Sequence, residues 1–382
     1  MNLDAVGKPF APLTKDYTWK DVVLYALGVG AGFSDLDYCY EKDLKVIPSF
    51  SIASIFDILM QIGLEANVNL AGVLHGEQEL IFHNPIPVEG TMTTQGKITH
   101  IYDKGEGRGA LVVGESDTFY ANGQKLFTSI CTIFGRLDGG FGGQNAPKTE
   151  VIFPDREPDF TVAAAPSPDQ PLIYRLSGDV FSLHVDPEFA KMSGFEKPIM
   201  HGLCTHGFAC RALVDTLIPD EPELARRMAC RFSKTLYPGV PVKTLIWKTE
   251  DGKALWRVVN TENGEIVIDT GAFVGALRRA IGDRTGTQVC FQIPNARYVF
   301  GDVAFQGCFH EVIRKHGGRV DQFFAFFLSL PEMRLGDLLD ANLLALFAIE
   351  IEGFHGDQVD DAVEIRFQTQ GNLHQDGIVT QL

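Results

Sequence analysis

An aspartate and a histidine, Asp179 and His184, lie five residues apart in a short segment of the chain. A carboxylate and an imidazole can share one water molecule, remove its proton and pass that proton on. Gly202 follows, at the start of a run of small and apolar residues that predicts a helix over 203–217. Because the first N–H groups of a helix carry partial positive charge, the Gly202 N–H can stabilise an oxyanion. The three residues predict an active site.

Short elements on either side must hold this pair in place. Residues 174–176 have the composition of a strand that leads into the segment. Asp186 and Pro187 mark a helix start, because aspartate accepts bonds from free N–H groups and proline suits the first helical position. Gly194 predicts the end of that helix, since glycine adopts the left-handed conformation readily. We therefore expect the pair between a strand and a short helix.

The same segment resembles the hydratase 2 motif of the MaoC-like, (R)-specific 2-enoyl-CoA hydratases, a family that includes the hydratase part of the peroxisomal multifunctional enzymes of type 2. The matching residues are Gly178-Asp179, His184, Asp186-Pro187, Gly194-Phe195, Lys197-Pro198-Ile199 and His201-Gly202-Leu203. The resemblance covers roughly residues 10–280. It implies a hydro-lyase that reversibly hydrates trans-2-enoyl-CoA to (3R)-3-hydroxyacyl-CoA in fatty-acid β-oxidation.

The resemblance also implies a role for each catalytic residue. Asp179 is expected to act as the base, His184 to orient the water and return the proton, and Gly202 to donate its N–H to the thioester oxygen. In one departure, the family usually has Asn-Pro where this chain has Phe181-Ser182. Because one buried hydrogen-bond partner is worth about 1–3 kcal/mol, Phe181 predicts a slower or altered site.

A set of substrate contacts follows from the same resemblance. The stretch Val73-Leu74-His75-Gly76-Glu77-Gln78 matches a family stretch in which the histidine and the glycine contact bound acyl-CoA. Other family contact positions fall on Tyr25, Glu41, Lys104 and Phe232. The expected partner is an acyl-CoA thioester, with coenzyme A as part of the substrate. Neither a cofactor nor a metal is expected.

The order of predicted elements repeats along the chain. A helix over 51–66 precedes strands over 74–82, 91–102, 109–120 and 126–137, and the helix over 203–217 precedes strands over 231–236, 242–249, 254–260 and 266–277. A long helix followed by antiparallel strands is typical of a hot-dog fold, in which a sheet wraps around a central helix. We therefore predict an α+β double hot-dog whose two sheets join.

This order divides the chain into four segments. Residues 1–137 are predicted to form an N-terminal hot-dog that makes room for the acyl chain. Residues 138–170 are rich in glycine and proline and predict a linker. Residues 171–282 are predicted to form the C-terminal hot-dog that carries the motif, and residues 283–382 remain an unassigned extension.

Composition excludes several classes of protein. A hydrophobic content of 45% with 21% charged residues is that of a globular protein with sizeable cores. A net charge of −16 argues against a nucleic-acid partner, and no apolar run is long enough for a membrane span. The seven cysteines form no C-x-x-C pair and lie mostly among apolar neighbours, which predicts buried free thiols.

Two other functions remain open at this stage. A hot-dog thioesterase uses the same fold and oxyanion donor but releases free coenzyme A, and a non-catalytic acyl-CoA-binding protein would result if Phe181 disabled the site. The resemblance favours a peroxisomal location, but the final residues are not a clean S-K-L signal, so a cytoplasmic location is the alternative. A homodimer is expected, since hot-dog proteins usually pair.

Overall fold

The computed structural model describes residues 1–147, 150–250, 252–276, 347–351 and 365–369. Met1–Gly286 form one compact unit. Its helices are α1 (Trp19–Gly28), α2 (Leu36–Cys39), α3 (Phe50–Glu65), α4 (Gln170–Tyr174), α5 (Pro187–Met192) and α6 (Gly202–Leu217). Its strands are β1 (Leu13–Tyr17), β2 (Val73–Phe82), β3 (Gly90–Asp103), β4 (Ala110–Tyr120), β5 (Lys125–Gly135), β6 (Phe160–Ala164), β7 (Ala225–Phe232), β8 (Val242–Glu250), β9 (Lys253–Asn260) and β10 (Ile266–Gly275).

The ten strands form one antiparallel sheet in the order β1-β3-β4-β5-β2-β7-β10-β9-β8-β6. Counted outward from the β2–β7 junction, the two halves have the same strand order. Each half also contributes a helix of 16 residues, α3 in the first and α6 in the second, which packs on its own half of the sheet. The predicted α+β double hot-dog with joined sheets is confirmed.

Apolar periodicity explains why α3 forms and which way it faces. Ile52, Ile55, Ile58 and Ile62 are buried and recur at helical spacing, so they form one face that packs against the sheet. In the second half, α6 is buried over most of its length. Gly207 lets α6 approach the end of α1, because a Cβ there would lie 2.3 Å from Val29.

The junction between the halves consists of backbone pairing and charge pairs. Glu77 lies opposite Arg231, and Ile81 lies opposite Arg227, at the two ends of the β2–β7 pairing. Arg231 forms an ion pair with Glu77 at 2.7 Å, and Arg227 pairs with Glu79 at 2.5 Å. These arginines made the start of β7 difficult to predict, since outward-facing charges break the apolar alternation. The strand predicted over 231–236 is therefore misplaced and begins at Ala225.

Two further predictions for local structure need correction. Residues 174–176 do not form a strand: α4 ends at Tyr174 and a 3-10 turn follows over Arg175–Ser177. The segment predicted as a linker over 138–170 contains β6, which pairs with β8 at the edge of the sheet. A single exposed edge strand alternates weakly between apolar and polar residues, so its composition resembles that of a loop.

The start of that segment is fixed by one carboxylate. Asp103, at the end of β3, accepts hydrogen bonds from the backbone N–H groups of Gly105, Gly140 and Gly142 at 2.7–2.8 Å. These bonds, led by the one from Gly140, lower the pKa of Asp103 to about 2. The glycine-rich stretch after β5 is thus held against the β3–β4 turn.

The remaining predictions concern thiols, membranes and the extension. Cys131, Cys204, Cys210 and Cys230 are buried and free, and Cys39 is half-buried and free, whereas the other two cysteines lie outside the described residues. Among the described residues, no helix is both long and apolar enough to cross a bilayer. Thr287–Leu382 form a second unit. Within it, Phe347–Ile351 (β11) and Ile365–Thr369 (β12) pair antiparallel; the rest of the unassigned extension lies outside the described residues.

Candidate active site

Asp179 is carried by a tight turn after α4. Gly178, directly before it, has φ 133°, a backbone conformation that side-chain-bearing residues rarely adopt. A Cβ at Gly178 would lie 3.4 Å from the Ala53 carbonyl oxygen of α3. The turn therefore packs closely against α3. Asp179 is buried there, with only 8% of its surface exposed. Asp179 is thereby directed into the interior of the protein.

His184 ends a 3-10 turn over Ser182–His184 and is oriented by a backbone carbonyl. Its Nδ1–H donates a hydrogen bond to the Ile199 carbonyl at 2.9 Å. Because a carbonyl can only accept, the neutral ring carries its hydrogen on Nδ1 and leaves Nε2 as an acceptor. Burial lowers the pKa of His184 to about 4, so the ring is uncharged near neutral pH.

The structure brings Asp179 and His184 together. One ligand atom each from Asp179, His184 and His201 lie within 4.8 Å of one another. Burial raises the pKa of Asp179 to about 7, against a weaker opposing effect of the Phe181 N–H, which donates to its carboxylate at 3.4 Å. A carboxylate with a pKa near 7 both accepts and releases a proton at neutral pH.

Gly202 opens α6 beside this pair. The N–H groups of Gly202 and Leu203 have no acceptor among the described residues, as expected at a helix start. A Cβ at Gly202 would lie 3.0 Å from Phe232, so glycine allows close approach here. Gly202 lines the same cavity as Asp179 and His184. Its N–H is positioned to stabilise negative charge on a bound oxygen.

The cavity has a volume of about 200 Å3 and a mostly apolar wall. Both halves of the chain contribute to it. Asp179, His184 and Gly202 come from the second half, whereas α3 of the first half contributes Phe56, Leu59, Met60 and Gly63. Those four recur at positions i, i+3, i+4 and i+7, which is one face of a helix. An apolar wall of this kind binds an acyl chain more favourably than it binds a polar group.

The predicted substrate contacts divide into two groups. His75 and Phe232 line the cavity and meet edge to face with ring centroids 5.2 Å apart, whereas Gly76, the next residue of β2, does not line it. Burial lowers the pKa of His75 to about 4, and its Nε2 has no hydrogen-bond partner among the described residues. This buried nitrogen has unused hydrogen-bonding capacity next to the cavity.

The other group lies away from the cavity wall. Tyr25 is fully buried between Phe50 and Tyr174, and Glu41 is exposed. Neither residue lines the cavity, so their contact with substrate stays a prediction. Lys104 is exposed on the β3–β4 turn with its Nζ 5.5 Å from the centroid of Phe134. It also lies outside the cavity wall.

Two further residues lie beside the pair: His201, which was given no role from the sequence, and Phe181, which was expected to slow or alter the site. His201 is 0% exposed and stacks on His184, with centroids 3.8 Å apart and planes at 26°. Its place in the matching motif, directly before Gly202, was its signal in the sequence. Phe181 lines the cavity, 6.3 Å from the His184 ring and 5.3 Å from Phe189 between ring centroids. An apolar ring therefore stands next to the acid–base pair.

Asp179, His184 and His201 are the one group of three or more potential metal-ligating residues within the described part of the chain. Ligands of a shared zinc ion converge on it at about 2.0–2.2 Å. Here one ligand atom of each residue lies within 4.8 Å of the others, and one nitrogen of each imidazole already donates to a backbone carbonyl. Neutral imidazoles held in this way beside a carboxylate suit proton transfer.

Comparison with known proteins identifies the family. Residues 16–136 match the MFE-2 hydratase 2 N-terminal domain, and residues 149–270 match the MaoC like domain. The chain is 38% identical over 281 residues to a probable enoyl-CoA hydratase 2 of Dictyostelium discoideum, covering 70% of this chain and 94% of that protein. The chain belongs to the MaoC-like hydratase 2 family.

Two other members of the hydratase 2 family place the match in context. The peroxisomal multifunctional enzyme type 2 of Mus musculus is 35% identical over 329 residues, covering 81% of this chain and 43% of that enzyme. The crystal structure of a MaoC-like dehydratase from Phytophthora capsici superposes with a TM-score of 0.66 at 32% identity, over 73% of this chain and 99% of that one. The hydratase 2 resemblance therefore extends across both halves of the sheet.

Proposed function

We propose that this hydratase 2 protein is an (R)-specific 2-enoyl-CoA hydratase, a hydro-lyase that interconverts trans-2-enoyl-CoA and (3R)-3-hydroxyacyl-CoA. The observation that carries the proposal is the Asp179–His184 pair beside the free N–H of Gly202 in an apolar cavity. Relatives named as enoyl-CoA hydratase 2 support the same reaction. The reverse reaction, dehydration, uses the same groups by microscopic reversibility.

The proposed chemistry divides among three groups. Ionised Asp179 removes a proton from a water molecule that also donates a hydrogen bond to Nε2 of neutral His184. The resulting hydroxide bonds to C3 as the π bond between C2 and C3 breaks, and negative charge moves to the thioester oxygen. The Gly202 N–H stabilises that oxygen, an interaction typically worth about 3 kcal/mol. The pair then returns the proton to C2, so that one water molecule is added in total.

The substrate side of the proposal follows from the cavity wall. The acyl chain extends along the α3 face formed by Phe56, Leu59, Met60 and Gly63. We therefore propose medium to long acyl chains as substrates. The thioester end lies near His75 and Phe232, and the free Nε2 of His75 supports a contact there. Contacts of Gly76 and Lys104 with coenzyme A remain proposals, as does the absence of any cofactor or metal.

One assay distinguishes this function from its alternatives. Purified protein is mixed with trans-2-decenoyl-CoA, and the ultraviolet absorbance of the conjugated thioester is followed beside a thiol reagent and chiral product analysis. A hydratase removes the conjugated band, releases no thiol and yields the (3R) product. Release of thiol would instead identify a thioesterase, and an unchanged band with bound ligand would identify an acyl-CoA-binding protein.

Variants of the pair test the proposed roles. Asp179→Asn and His184→Gln should each lower kcat by at least about a thousandfold, because each removes an acid–base group while leaving the binding wall in place. His206→Gln serves as a control, since His206 is also a buried ionisable residue but does not line the cavity. Full activity in either active-site variant would refute its assigned role.

The biological setting is proposed more broadly. The reaction suits fatty-acid β-oxidation, and the similarity to a peroxisomal multifunctional enzyme supports a peroxisomal location. Imaging a fluorescent fusion of the complete protein beside a peroxisomal marker tests that location; a diffuse signal would indicate the cytoplasm. We also propose a homodimer, which light scattering after size-exclusion chromatography would test directly.

A further inference from the structure

His201 contacts both members of the proposed acid–base pair and directly precedes the oxyanion donor. Its Nε2–H donates a hydrogen bond to the backbone carbonyl of Asp179 at 3.1 Å. Its ring stacks on His184, with centroids 3.8 Å apart. The next residue in the chain is Gly202. One fully buried side chain is therefore bonded to the backbone of the base, packed on the imidazole and adjacent in sequence to the oxyanion donor.

The hydrogen bond acts at a point where the backbone needs support. Asp179 follows Gly178, which has φ 133°. Because glycine has no side chain, the residue itself restrains that backbone angle little. No other hydrogen bond to the Asp179 carbonyl is recorded among the described residues. The bond from His201 therefore ties the turn that carries Asp179 to the start of α6. That bond fixes the direction in which the Asp179 carboxylate projects.

The stack acts on the second catalytic group. The Ile199 carbonyl fixes one edge of the His184 ring, but a single hydrogen bond leaves rotation about it possible. The His201 ring covers one face of His184, while Tyr174 covers His201 from another side with centroids 4.9 Å apart. Together the bond and the stack define the direction of His184 Nε2.

The chemistry of the imidazole argues that packing alone does not explain His201. Because Nε2 carries the hydrogen, Nδ1 is a buried acceptor, and it has no partner among the described residues. Such an unpaired group costs about 1–3 kcal/mol, a cost that an apolar ring of similar size would avoid. An apolar ring could not donate the hydrogen bond to the Asp179 carbonyl, so this bond is what the imidazole adds at position 201.

We propose that His201 is a positioning residue that holds the Asp179 carboxylate, the His184 ring and the start of α6 in their reactive arrangement. The proposal rests on the hydratase function, because it concerns the placement of the groups that carry out that reaction. His201 itself does not exchange protons with the substrate. Displacement of catalytic groups by about 1 Å is enough to lower rates by up to 100-fold.

Two substitutions separate the contacts. His201→Phe retains a ring that can stack but loses the hydrogen-bond donor, and His201→Gln retains a donor but loses the stacked ring. We expect His201→Phe to lower kcat for trans-2-decenoyl-CoA by about 10- to 100-fold with less than about a threefold change in KM. We expect kcat to fall less in His201→Gln than in His201→Phe, because glutamine keeps a hydrogen-bond donor.

The control is a second histidine of the same helix. His206 is also fully buried, has a pKa that burial lowers to about 3, and contacts Trp256 rather than the pair, with centroids 6.2 Å apart. His206→Phe should leave kcat within about threefold of the wild type. Urea denaturation of all three variants identifies losses that come from unfolding alone. Equal losses of kcat in folded His201→Phe and His206→Phe would overturn the proposal.

A second measurement is independent of turnover. In protein labelled with 15N-histidine, the His184 ring should give the NMR pattern of the Nδ1–H tautomer, fixed by Ile199. His201→Phe should broaden or shift that pattern, and His206→Phe should not. If the wild type proves inactive while this shift occurs, the hydratase function fails and the positioning contact stands. A His201→Phe variant with wild-type kcat and an unchanged His184 spectrum would refute the positioning role.

Discussion

Asp179 must be ionised to act as a base, yet it lies where ionisation is unfavourable. Burial raises its pKa to about 7, whereas burial lowers the pKa of His184 to about 4. The proposed mechanism requires the ionised carboxylate and the neutral imidazole. Of these two groups, only Asp179 therefore titrates near neutral pH.

This arrangement predicts the pH dependence of hydration. Between pH 5 and pH 6, kcat/KM should rise close to tenfold, and between pH 6 and pH 7 about fivefold, because the ionised fraction of Asp179 rises in that proportion. Above about pH 7 it should level off, with no second inflection from His184. The measurement is the initial rate of hydration of trans-2-decenoyl-CoA below its KM. A flat profile from pH 5 to pH 9 would contradict the role of Asp179 as base.

The same pKa predicts a cost in stability. Folded Asp179 keeps its proton up to about pH 7, whereas in the unfolded chain it loses that proton near pH 3.8. The free energy of unfolding therefore falls as pH rises between those values. Asp179→Asn should remove this fall and stabilise the protein at pH 8 by on the order of 3 to 4 kcal/mol. Urea denaturation at pH 8 and pH 4 measures it; an equal change at both would exclude ionisation as the cause.

Phe181 allows a test of the hydrogen-bonding around the water. Phe181→Asn would place an amide beside His184 and should raise kcat up to about tenfold, because it offers the water another partner. It should also lower stability by about 1–3 kcal/mol, since the contact with Phe189 is lost. Phe189→Leu is the control: it should weaken the same packing without raising kcat. A fall in kcat for folded Phe181→Asn would show that the aromatic ring itself is required.

For individual residues, the sequence predicted which ones form the site better than it predicted the contacts that orient them. The spacing of Asp179, His184 and Gly202 indicated a catalytic segment, and the structure brings the three to one cavity. The roles of the Ile199 carbonyl and the His201 ring were not predictable. Both depend on how the segment folds against the start of α6, and neither carbonyls nor stacking leave a pattern in the sequence.

At the scale of elements, α3 is unusual because one of its faces lines a cavity. Gly63 lies on that face two turns from Phe56, roughly 10 Å along the helix axis. A Cβ at Gly63 would meet only Ile133, at an ordinary contact distance of 3.6 Å. Glycine within a helix costs about 0.5–1 kcal/mol relative to alanine. Gly63 thus leaves space in the cavity at some cost to the helix.

Gly63→Leu should therefore shorten the acyl chain that the cavity accepts. We expect kcat/KM for trans-2-decenoyl-CoA to fall about tenfold or more, with little change for trans-2-butenoyl-CoA, because the added side chain occupies space remote from the reacting carbons. Leu64→Gln, on the exposed side of α3, is the matched control. A parallel fall for both substrates would indicate damage to the reacting end instead.

Prediction of elements succeeded where one face is buried and the other is not. The limits of α3, β3 and β8 follow apolar periodicity and were predicted to within about two residues. β7 was misplaced because its outward positions are arginines that pair with glutamates of β2, a long-range contact. β6 was not predicted for a related reason: within the described residues it pairs with β8, which lies almost 80 residues further along the chain.

For the whole molecule, the β2–β7 junction makes one sheet from two halves. Main-chain bonds and a shared core hold the junction, while the partly exposed ion pairs of Arg227 and Arg231 contribute about 0–1 kcal/mol each. The double hot-dog was predictable because its element order repeats in the sequence. The shared cavity was not, since its wall combines side chains separated by more than a hundred residues.

Cutting the chain between its halves tests how firmly they associate. A protease site inserted after Ala146, beyond the stretch held by Asp103, should permit cleavage without loss of activity. The two fragments should elute together in size-exclusion chromatography, because pairing of β2 with β7 does not depend on the connection. Each fragment expressed alone should be inactive, since neither forms the complete cavity. Separation of the fragments on cleavage would show that the covalent connection holds the junction together.

The equal strand order of the two halves has a consequence for how such an enzyme diversifies. In an assembly of two identical subunits, every mutation appears twice, so a change that suits a larger substrate also alters the catalytic copy. Here α3 and α6 are encoded separately. Mutations in α3, natural or engineered, can therefore change the substrate range while the acid–base chemistry stays constant. Specificity and catalytic rate can then change independently of each other.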